Sequence, residues 1–145
     1  MRVAVFTPYF PYPSDTGGKI RSYNLLRALL QHYEVDLYVP YCGSAPASEH
    51  LAALSNCHEI HLLQLTKSWR KRDRLARVLA PLPRSVDFFY TEDTLAEVRA
   101  LLARRDYQLL ISDEICMTPY AELLPEVPRI VTRQKVDFLH YHEMA

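Results

Sequence analysis

The sequence lacks a long apolar run, an excess of either charge and any closely spaced pair of cysteines. No apolar stretch approaches the roughly 18 residues of a membrane-spanning helix, and prolines interrupt the N-terminal segment too early for a signal peptide. Lysine plus arginine and aspartate plus glutamate number 17 each, so no global positive field indicates nucleic acid. Because Cys42, Cys57 and Cys116 include no CxxC pair, we expect reduced thiols in a soluble, cytoplasmic protein.

Several short motifs of defined chemistry are also missing. No third glycine follows Gly17 and Gly18 at the spacing of the dinucleotide fingerprint, and Gly18-Lys19 precedes Ile20 where a Walker A loop needs serine or threonine. The terminal sequence 140–143 (His-Tyr-His-Glu) does not match H-E-x-x-H. Because metal ligation needs geometry as well as residue type, we predict no metal site.

Strand-like and helix-like patterns alternate along the 145 residues, which suffice for one domain with its own core. The second strand is expected to stop at Pro40. Alternating elements, with some strands apolar on both faces, predict an α/β fold with a doubly wound, mainly parallel sheet. The predicted strands are Val3–Phe6, Val35–Val39, His58–Leu65, Leu109–Ile111 and Arg129–Thr132, and the predicted helices are Lys19–Tyr33, 46–55 and Thr94–Arg104.

Ligands of such sheets bind beyond the carboxyl ends of the strands. Three polar segments fall there: the Thr7–Gly18 loop, Asp113-Glu114 and Arg133–Asp137. In the first, Gly17 and Gly18 stand at a helix start, where unpaired N–H groups and a partial positive charge favour phosphate and glycine permits close approach. A plain turn is the alternative for this loop. For Asp113-Glu114 the alternative is a solvated turn or a helix cap.

A basic segment, Lys67–Arg77, carries six lysine or arginine side chains against one acid, Asp73. The apolar residues Trp69, Leu75, Val78 and Leu79 are interleaved with them or follow directly. As a helix, it would present a cationic face with an aromatic anchor to anionic lipid. The alternative is a solvated helix whose apolar stripe packs on the sheet. Two interpretations therefore stay open, one of them a peripheral membrane contact on the inner face.

Three blocks of the chain carry a further pattern: Pro11–Arg21 followed by Leu25–Leu29, then Leu82–Tyr90, and then Tyr107–Tyr120 with its M-x-P-Y turn. In this order they resemble the N-terminal half of family 4 glycosyltransferases of the GT-B type. The resemblance implies a Rossmann-like fold for residues 1–145, which would form the acceptor-side domain. The second Rossmann-like domain, which grips the donor in this family, is absent from this chain, so the isolated domain would be inactive.

The resemblance also implies a reaction and a set of site residues. A retaining enzyme would move a sugar from a nucleotide-diphosphate sugar to a glycan or lipid-linked acceptor without a cofactor. No Asp-x-Asp sequence is present, so the implied donor chemistry is metal-independent. Lys135 stands where the family often has asparagine. The implied donor-binding residues are Gly17, Gly18, Arg21, Arg133 and Lys135, and the implied acceptor-facing carboxylates are Glu114 and Asp113.

A different class of function fits the same residues. A non-catalytic Rossmann-like module could recognise a phosphorylated ligand or a partner protein through the same loops. A receiver-like signalling domain is disfavoured, because no acidic pair follows the first predicted strand. A downstream domain with a paired acidic motif would distinguish the enzyme from the module.

Overall fold

The computed structural model describes residues 1–65, 88–89 and 91–133. These residues form a five-stranded sheet with helices on both faces. A 3-10 turn at Ile115–Met117 precedes the last helix. The strands are β1 (Arg2–Phe6), β2 (Glu34–Tyr41), β3 (Glu59–Gln64), β4 (Leu109–Asp113) and β5 (Arg129–Thr132), and the helices are α1 (Gly17–Leu29), α2 (Ser48–Ala52), α3 (Glu92–Leu102) and α4 (Thr118–Ala121).

The strands are ordered β3-β2-β1-β4-β5, and every neighbouring pair is parallel. This confirms the predicted α/β, doubly wound sheet, and the order is that of Rossmann-like folds. From β1 the chain moves outward to β3 and then returns to place β4 on the other side of β1. The strand order therefore reverses between β1 and β4, and their carboxyl ends form the switch point where ligands of such sheets bind.

The sheet is buried between two apolar layers because its central strands are apolar on both faces. On the α1 side, Leu26 packs against alternate residues of β1 and β2. On the opposite side, Val98 and Leu102 of α3 pack against Phe6, Tyr38 and Leu110. The rings of Phe6 and Tyr38 stack with centroids 4.8 Å apart. Residues on both faces of β1 and β2 are fully buried, which fixes the register of the sheet.

The prediction that β2 stops at Pro40 is wrong, since the strand continues to Tyr41. Pro40 pairs in register with Leu63 of β3. Successive residues of a parallel strand direct their backbone groups to opposite neighbours. The Tyr38 carbonyl accepts a hydrogen bond from Thr7, which follows β1, and the Tyr41 carbonyl accepts one from Leu65, which follows β3. The nitrogen of Pro40 therefore faces the β1 side. The pairing of β1 with β2 has already ended there, at Phe6. The missing N–H therefore removes no ladder bond.

The helices begin and end at other residues than predicted. The helix predicted over Lys19–Tyr33 runs from Gly17 to Leu29, because Thr16 is extended and serves as its N-cap. The helix predicted over 46–55 covers only Ser48–Ala52. The helix predicted from Thr94 to Arg104 starts two residues earlier, at Glu92, because Thr91 and Thr94 form a reciprocal capping box.

Among the described residues, no helix combines the length and apolar character that crossing a bilayer requires. The basic segment Lys67–Arg77 lies outside the described residues, so both interpretations of it stay predictions.

Candidate functional site

The candidate site lies at the switch point, where three segments meet. The start of α1 follows the loop after β1, and the carboxyl ends of β4 and β5 lie beside each other because Asp113 pairs with Thr132 in register. Parallel strands bring their carboxyl ends to one edge of the sheet. The topology therefore places the predicted segments Thr7–Gly18, Asp113-Glu114 and the residue after β5 at the same edge.

Asp113 is the centre of this site. Its carboxylate is fully buried and accepts hydrogen bonds from Arg21 and from Ser22 of α1. The Thr132 hydroxyl donates a further bond, with 2.6 Å between Oγ1 and Oδ1. A buried carboxylate is stable when it is paired and hydrogen-bonded, and this one meets both conditions. Asp113 thus holds α1, β4 and β5 together.

Glu114 follows directly and has an unusual backbone. Its φ is 105° and its ψ is 147°, a conformation that non-glycine residues adopt only at an energetic cost. Backbone hydrogen bonds hold it there: its N–H donates to the Thr132 carbonyl at 3.1 Å, and its carbonyl accepts from the N–H of Met117 at 3.1 Å. The half-buried side chain is therefore presented at the switch point by a strained but fixed backbone.

The start of α1 differs from that of α3. The first turn of α3 carries Glu92 and Asp93, as the helix dipole favours. The first turn of α1 carries no acid, and it is followed by Arg21. The cap of α1 is weak, since Thr16 Oγ1 lies 3.5 Å from the N–H of Lys19. The first turn of α1 therefore carries no side-chain carboxylate that would compete with an anion for its backbone N–H groups.

Two charged neighbours define that helix start further. Lys19 Nζ lies 2.9 Å from Asp15 Oδ1, and this hydrogen bond lowers the pKa of the Asp15 carboxyl from its ordinary value.

Gly17 is exposed, and a Cβ added to it would meet no atom within 4 Å. The chain packing thus does not require glycine at this position.

The structure brings together most of the residues that the resemblance implied. Gly17 and Gly18 are the first two residues of α1, and Arg21 stands one turn later with 37% of its side chain exposed while it contacts Asp113. Arg133 is exposed and follows β5 directly. Lys135 lies outside the described residues. The roles of the two glycines, Arg21, Arg133 and Lys135 in donor binding stay predictions. The roles of Asp113 and Glu114 towards the acceptor stay predictions as well.

Two residues of the site were not predicted from the sequence. Ser22 lies within hydrogen-bond distance of both Asp113 and the Gly18 carbonyl, which is 3.1 Å away, and it is fully buried. Its signal in the sequence was a polar residue four positions before Leu26, on the apolar stripe of α1. Thr132 had no such signal, because only the register of β5 against β4 places it beside Asp113.

A second polar cluster lies towards the amino ends of the strands, opposite the candidate site. The fully buried Asp36 of β2 accepts a 2.6 Å hydrogen bond from the Tyr107 hydroxyl and lies 2.9 Å from His58 Nδ1. The Tyr38 hydroxyl lies 2.9 Å from that of Tyr107. Burial, above all, raises the pKa of Tyr38 to about 12 and that of Tyr107 further. The phenols stay protonated, which suits a structural network.

No group of three or more His, Cys, Asp or Glu side chains within residues 1–65, 88–89 and 91–133 is arranged to hold a metal ion. The terminal segment 140–143, with its two histidines and Glu143, lies outside these ranges.

Comparison with known proteins supports the fold. No protein-family model matches the sequence, and no curated protein matches it. The C-terminal domain (residues 78–226) of the PF1911 hydrogenase from Pyrococcus furiosus is similar, with a TM-score of 0.54, 16% identity and coverage of 91% of both chains. TcCGT1 in complex with UDP is similar with a TM-score of 0.51 and 15% identity over 90% of this chain, but only 27% of that chain. Likeness at these identities shows the Rossmann-like fold alone.

Proposed function

We propose that the chain is the acceptor-side domain of a retaining, family 4 glycosyltransferase of the GT-B type. It would help to move a sugar from a nucleotide-diphosphate sugar to a glycan or lipid-linked acceptor, without a metal or cofactor. The observation that carries the proposal is the start of α1 at the switch point, with its two glycines, no acid in the first turn and basic residues after them.

The donor diphosphate would lie against the first turn of α1. Backbone N–H groups there have no partner within the helix, and they point towards an incoming anion. Gly17 leaves open space in which an oxygen can approach the backbone. Arg21 keeps 37% of its side chain exposed beside Asp113, and a guanidinium has five N–H donors. Arg21 can therefore hold the carboxylate and contact a phosphate at the same time.

The acceptor would lie on the other side of the crevice, at Glu114. A carboxylate within hydrogen-bond reach of the acceptor hydroxyl can orient it or accept its proton. The backbone conformation of Glu114, held by two backbone hydrogen bonds, fixes the direction of its Cα–Cβ bond. Asp113 would act as a positioning residue, since its oxygens already accept hydrogen bonds from α1 and β5.

The fold is compatible with this function. TcCGT1, a glycosyltransferase whose structure holds UDP, shares the fold over 90% of this chain. This chain covers 27% of TcCGT1. We therefore propose that a second, donor-binding domain completes the active site, and that the present domain alone has no turnover.

Titration calorimetry with UDP, GDP and ADP tests the phosphate site, with Gly17→Val as the variant and Gly17→Ala as its matched control. Neither side chain meets a neighbouring atom within 4 Å at its Cβ, so both variants should fold. We expect one nucleotide to bind, and Gly17→Val to weaken it by about tenfold or more, equivalent to ~1.4 kcal/mol. Gly17→Ala should bind nearly as the parent does. Equal binding by all three chains would refute the phosphate site, as would absence of binding by every nucleotide when the titration includes the proposed donor-binding domain.

A peripheral location on the inner face of the membrane, through Lys67–Arg77, is part of the same proposal. Binding to anionic liposomes before and after neutralisation of four basic residues in this segment tests it. Electrostatic attraction to anionic lipid amounts to about 1 kcal/mol for each basic residue near the surface. Unchanged liposome binding in the neutralised variant would remove the membrane contact.

The second candidate function is a non-catalytic module that binds a phosphorylated ligand or a partner protein. The observation in its favour is that a domain of the same fold, matched over 91% of both lengths, occurs in a protein that is named a hydrogenase rather than a transferase. A module of this kind would bind a phosphate compound with no preference for a nucleotide. Phosphate esters that bind as well as UDP or GDP in the same titration would favour it.

A further inference from the structure

A pocket of about 300 Å³ opens beside the candidate site, at the carboxyl ends of β1, β2 and β3. Its walls are Pro8–Phe10 after β1, Pro40–Cys42 at the end of β2, Leu65, and Phe88–Phe89. Its volume is at the lower end of the range for ligand pockets, about 300–1,000 Å³. The pocket can therefore hold one portion of a larger molecule.

The chemistry of the walls is apolar and aromatic. Of the nine lining residues, five are phenylalanine or tyrosine and two are proline, and none carries a charge or an amide side chain. Flat aromatic faces pack well against rings and branched chains. A sugar ring would lose hydrogen bonds to water in this pocket without replacing most of them. The walls thus favour an apolar group over a sugar.

The walls are held in place by contacts to the rest of the fold. The Phe89 carbonyl accepts a 2.6 Å hydrogen bond from the Tyr120 hydroxyl, and the rings of Phe88 and Phe89 meet edge to face at 5.1 Å. The Tyr41 carbonyl accepts from the N–H of Leu65 at 2.8 Å. The Tyr9 carbonyl accepts from the Thr7 hydroxyl at 3.0 Å. These contacts hold the backbone of the three wall segments in place.

The pocket and the candidate site share the carboxyl end of β1. Strands lie about 4.8 Å apart, so the ends of β2 and β4, with β1 between them, are separated by ~10 Å. Tyr41 ends β2, and Glu114 follows β4. A molecule that spans this distance would place one portion in the pocket and another beside the Glu114 carboxylate.

We propose that the pocket binds the apolar portion of the acceptor, a prenyl chain or an aromatic ring, and so positions the hydroxyl that receives the sugar. The identity of the bound molecule as an acceptor rests on the proposed transferase function. The preference of the pocket for apolar groups does not, and it is tested without any nucleotide.

Cys42 at the wall of the pocket is a reporter for its occupancy. It is the exposed member of the three cysteines. Cys57 and Cys116 are buried, and burial raises the pKa of their thiols to about 11 and about 12. Since the thiolate is the reactive form, iodoacetamide should alkylate Cys42 alone in the folded chain. A ligand in the pocket should slow that reaction.

The experiment measures the alkylation rate with geraniol for a prenyl chain, 2-naphthol for an aromatic ring, and glucose at equal concentration. We expect a saturable slowing of threefold or more by geraniol or 2-naphthol and none by glucose. Slowing by geraniol alone indicates a lipid acceptor, and slowing by 2-naphthol alone indicates an aromatic one. No slowing by either, or equal slowing by glucose, overturns the proposal even if nucleotides bind at α1.

Two tyrosines at opposite ends of β2 provide matched variants. Tyr41→Ala removes a wall of the pocket, whereas Tyr33→Ala removes an exposed ring before the other end of the strand. Tyr41→Ala should abolish the protection, and Tyr33→Ala should retain it. Equal protection in both variants contradicts the assignment. If Cys57 becomes reactive in Tyr41→Ala, that variant has unfolded. The variant Phe88→Ala is then used instead, and it should also lose the protection.

Discussion

The Arg21 guanidinium donates a hydrogen bond to the Asp113 carboxylate, and this pair joins the first turns of α1 to the carboxyl end of β4. Asp113 is fully buried, whereas 37% of the Arg21 side chain is exposed. The pair spans the switch point of the sheet, where the strand order reverses. The same contact therefore stabilises the fold and sets the shape of the candidate site.

Arg21→Met should destabilise the chain, because it leaves a buried carboxylate with hydroxyl donors alone. Removing one partner of a buried ion pair costs about 3–5 kcal/mol. We expect the free energy of unfolding to fall by about 2 kcal/mol, since more than a third of the Arg21 side chain is exposed and water screens the pair. Urea denaturation followed by circular dichroism measures the free energy of unfolding.

Arg27→Met is the control for that measurement, on the same helix. The central carbon of the exposed Arg27 guanidinium lies 6.0 Å from the centroid of the Tyr23 ring, an interaction of about 0.5–1 kcal/mol at an exposed site. We expect a loss below about 1 kcal/mol. Equal losses in the two variants would show that the contact with Asp113 adds no stability.

Glu114 offers a test of backbone strain. A non-glycine residue at its φ of 105° costs about 1–3 kcal/mol, and glycine relieves that strain at an entropic cost of about 0.5–1 kcal/mol. Both Glu114→Gly and Glu114→Ala remove the side-chain contacts of Glu114. We therefore expect the glycine variant to be more stable than the alanine variant, by about 1 kcal/mol in urea denaturation.

The same two substitutions at Glu122 should give the opposite order. Glu122 is exposed at the end of α4 and has a φ of −74°, where glycine has no steric advantage and loses more conformational freedom. If alanine is as stable as glycine at position 114, the backbone of Glu114 is not strained.

Much of the fold could be predicted because hydrophobic periodicity is local. The apolar run Leu109–Ile111 predicted a strand buried on both faces, and β4 contains it. The end of β2 was wrong, since a proline interrupts pairing only on the side of the strand that its nitrogen faces. Pro40 faces the side on which β1 has ended, and a single sequence does not show which neighbour a residue faces.

The polar contacts of the site could not be predicted in the same way. Arg21 and Asp113 are 92 positions apart in the sequence, and which polar side chains meet depends on strand order. The resemblance grouped these residues by role, but it did not indicate that they bind each other. The apolar pocket was missed for the same reason, because its aromatic walls come from segments distant in sequence.

Tyr107→Phe should weaken the polar cluster towards the amino ends of the strands. The Tyr107 hydroxyl donates to the fully buried Asp36 carboxylate at 2.6 Å, and a hydrogen bond to a charged group contributes about 1.5–3 kcal/mol. We expect a loss in this range from urea denaturation. Tyr33→Phe, which changes an exposed ring, should alter the free energy of unfolding by less than about 0.5 kcal/mol. Similar effects of the two substitutions would contradict the importance of this hydrogen bond.

The stability of the chain should fall between pH 7 and pH 5 because of His61. Its ring stacks on Tyr38 with centroids 4.5 Å apart, and burial lowers the pKa of its imidazole below the ordinary 6.5. Unfolded chains therefore bind more protons than folded ones, so the stabilisation is present above pH 6.5 and is lost as the pH falls through the folded pKa. The charged groups that act on His61 are Glu59, Asp36, Arg105 and Glu97.

His61→Phe keeps a ring against Tyr38 and removes the proton site. Glu59 does not interfere in this interval, because the hydrogen bond from Arg105 lowers its pKa below 4.5 and its own contribution is lost only in more acidic solution. The free energy of unfolding, measured by urea denaturation at half-unit steps, should fall in the parent chain by at most ~1.4 kcal/mol per pH unit from this group. The slope in His61→Phe should be smaller, whereas His32→Phe, at an exposed histidine, should keep the parent slope. An unchanged slope in His61→Phe would mean that another group takes up the proton.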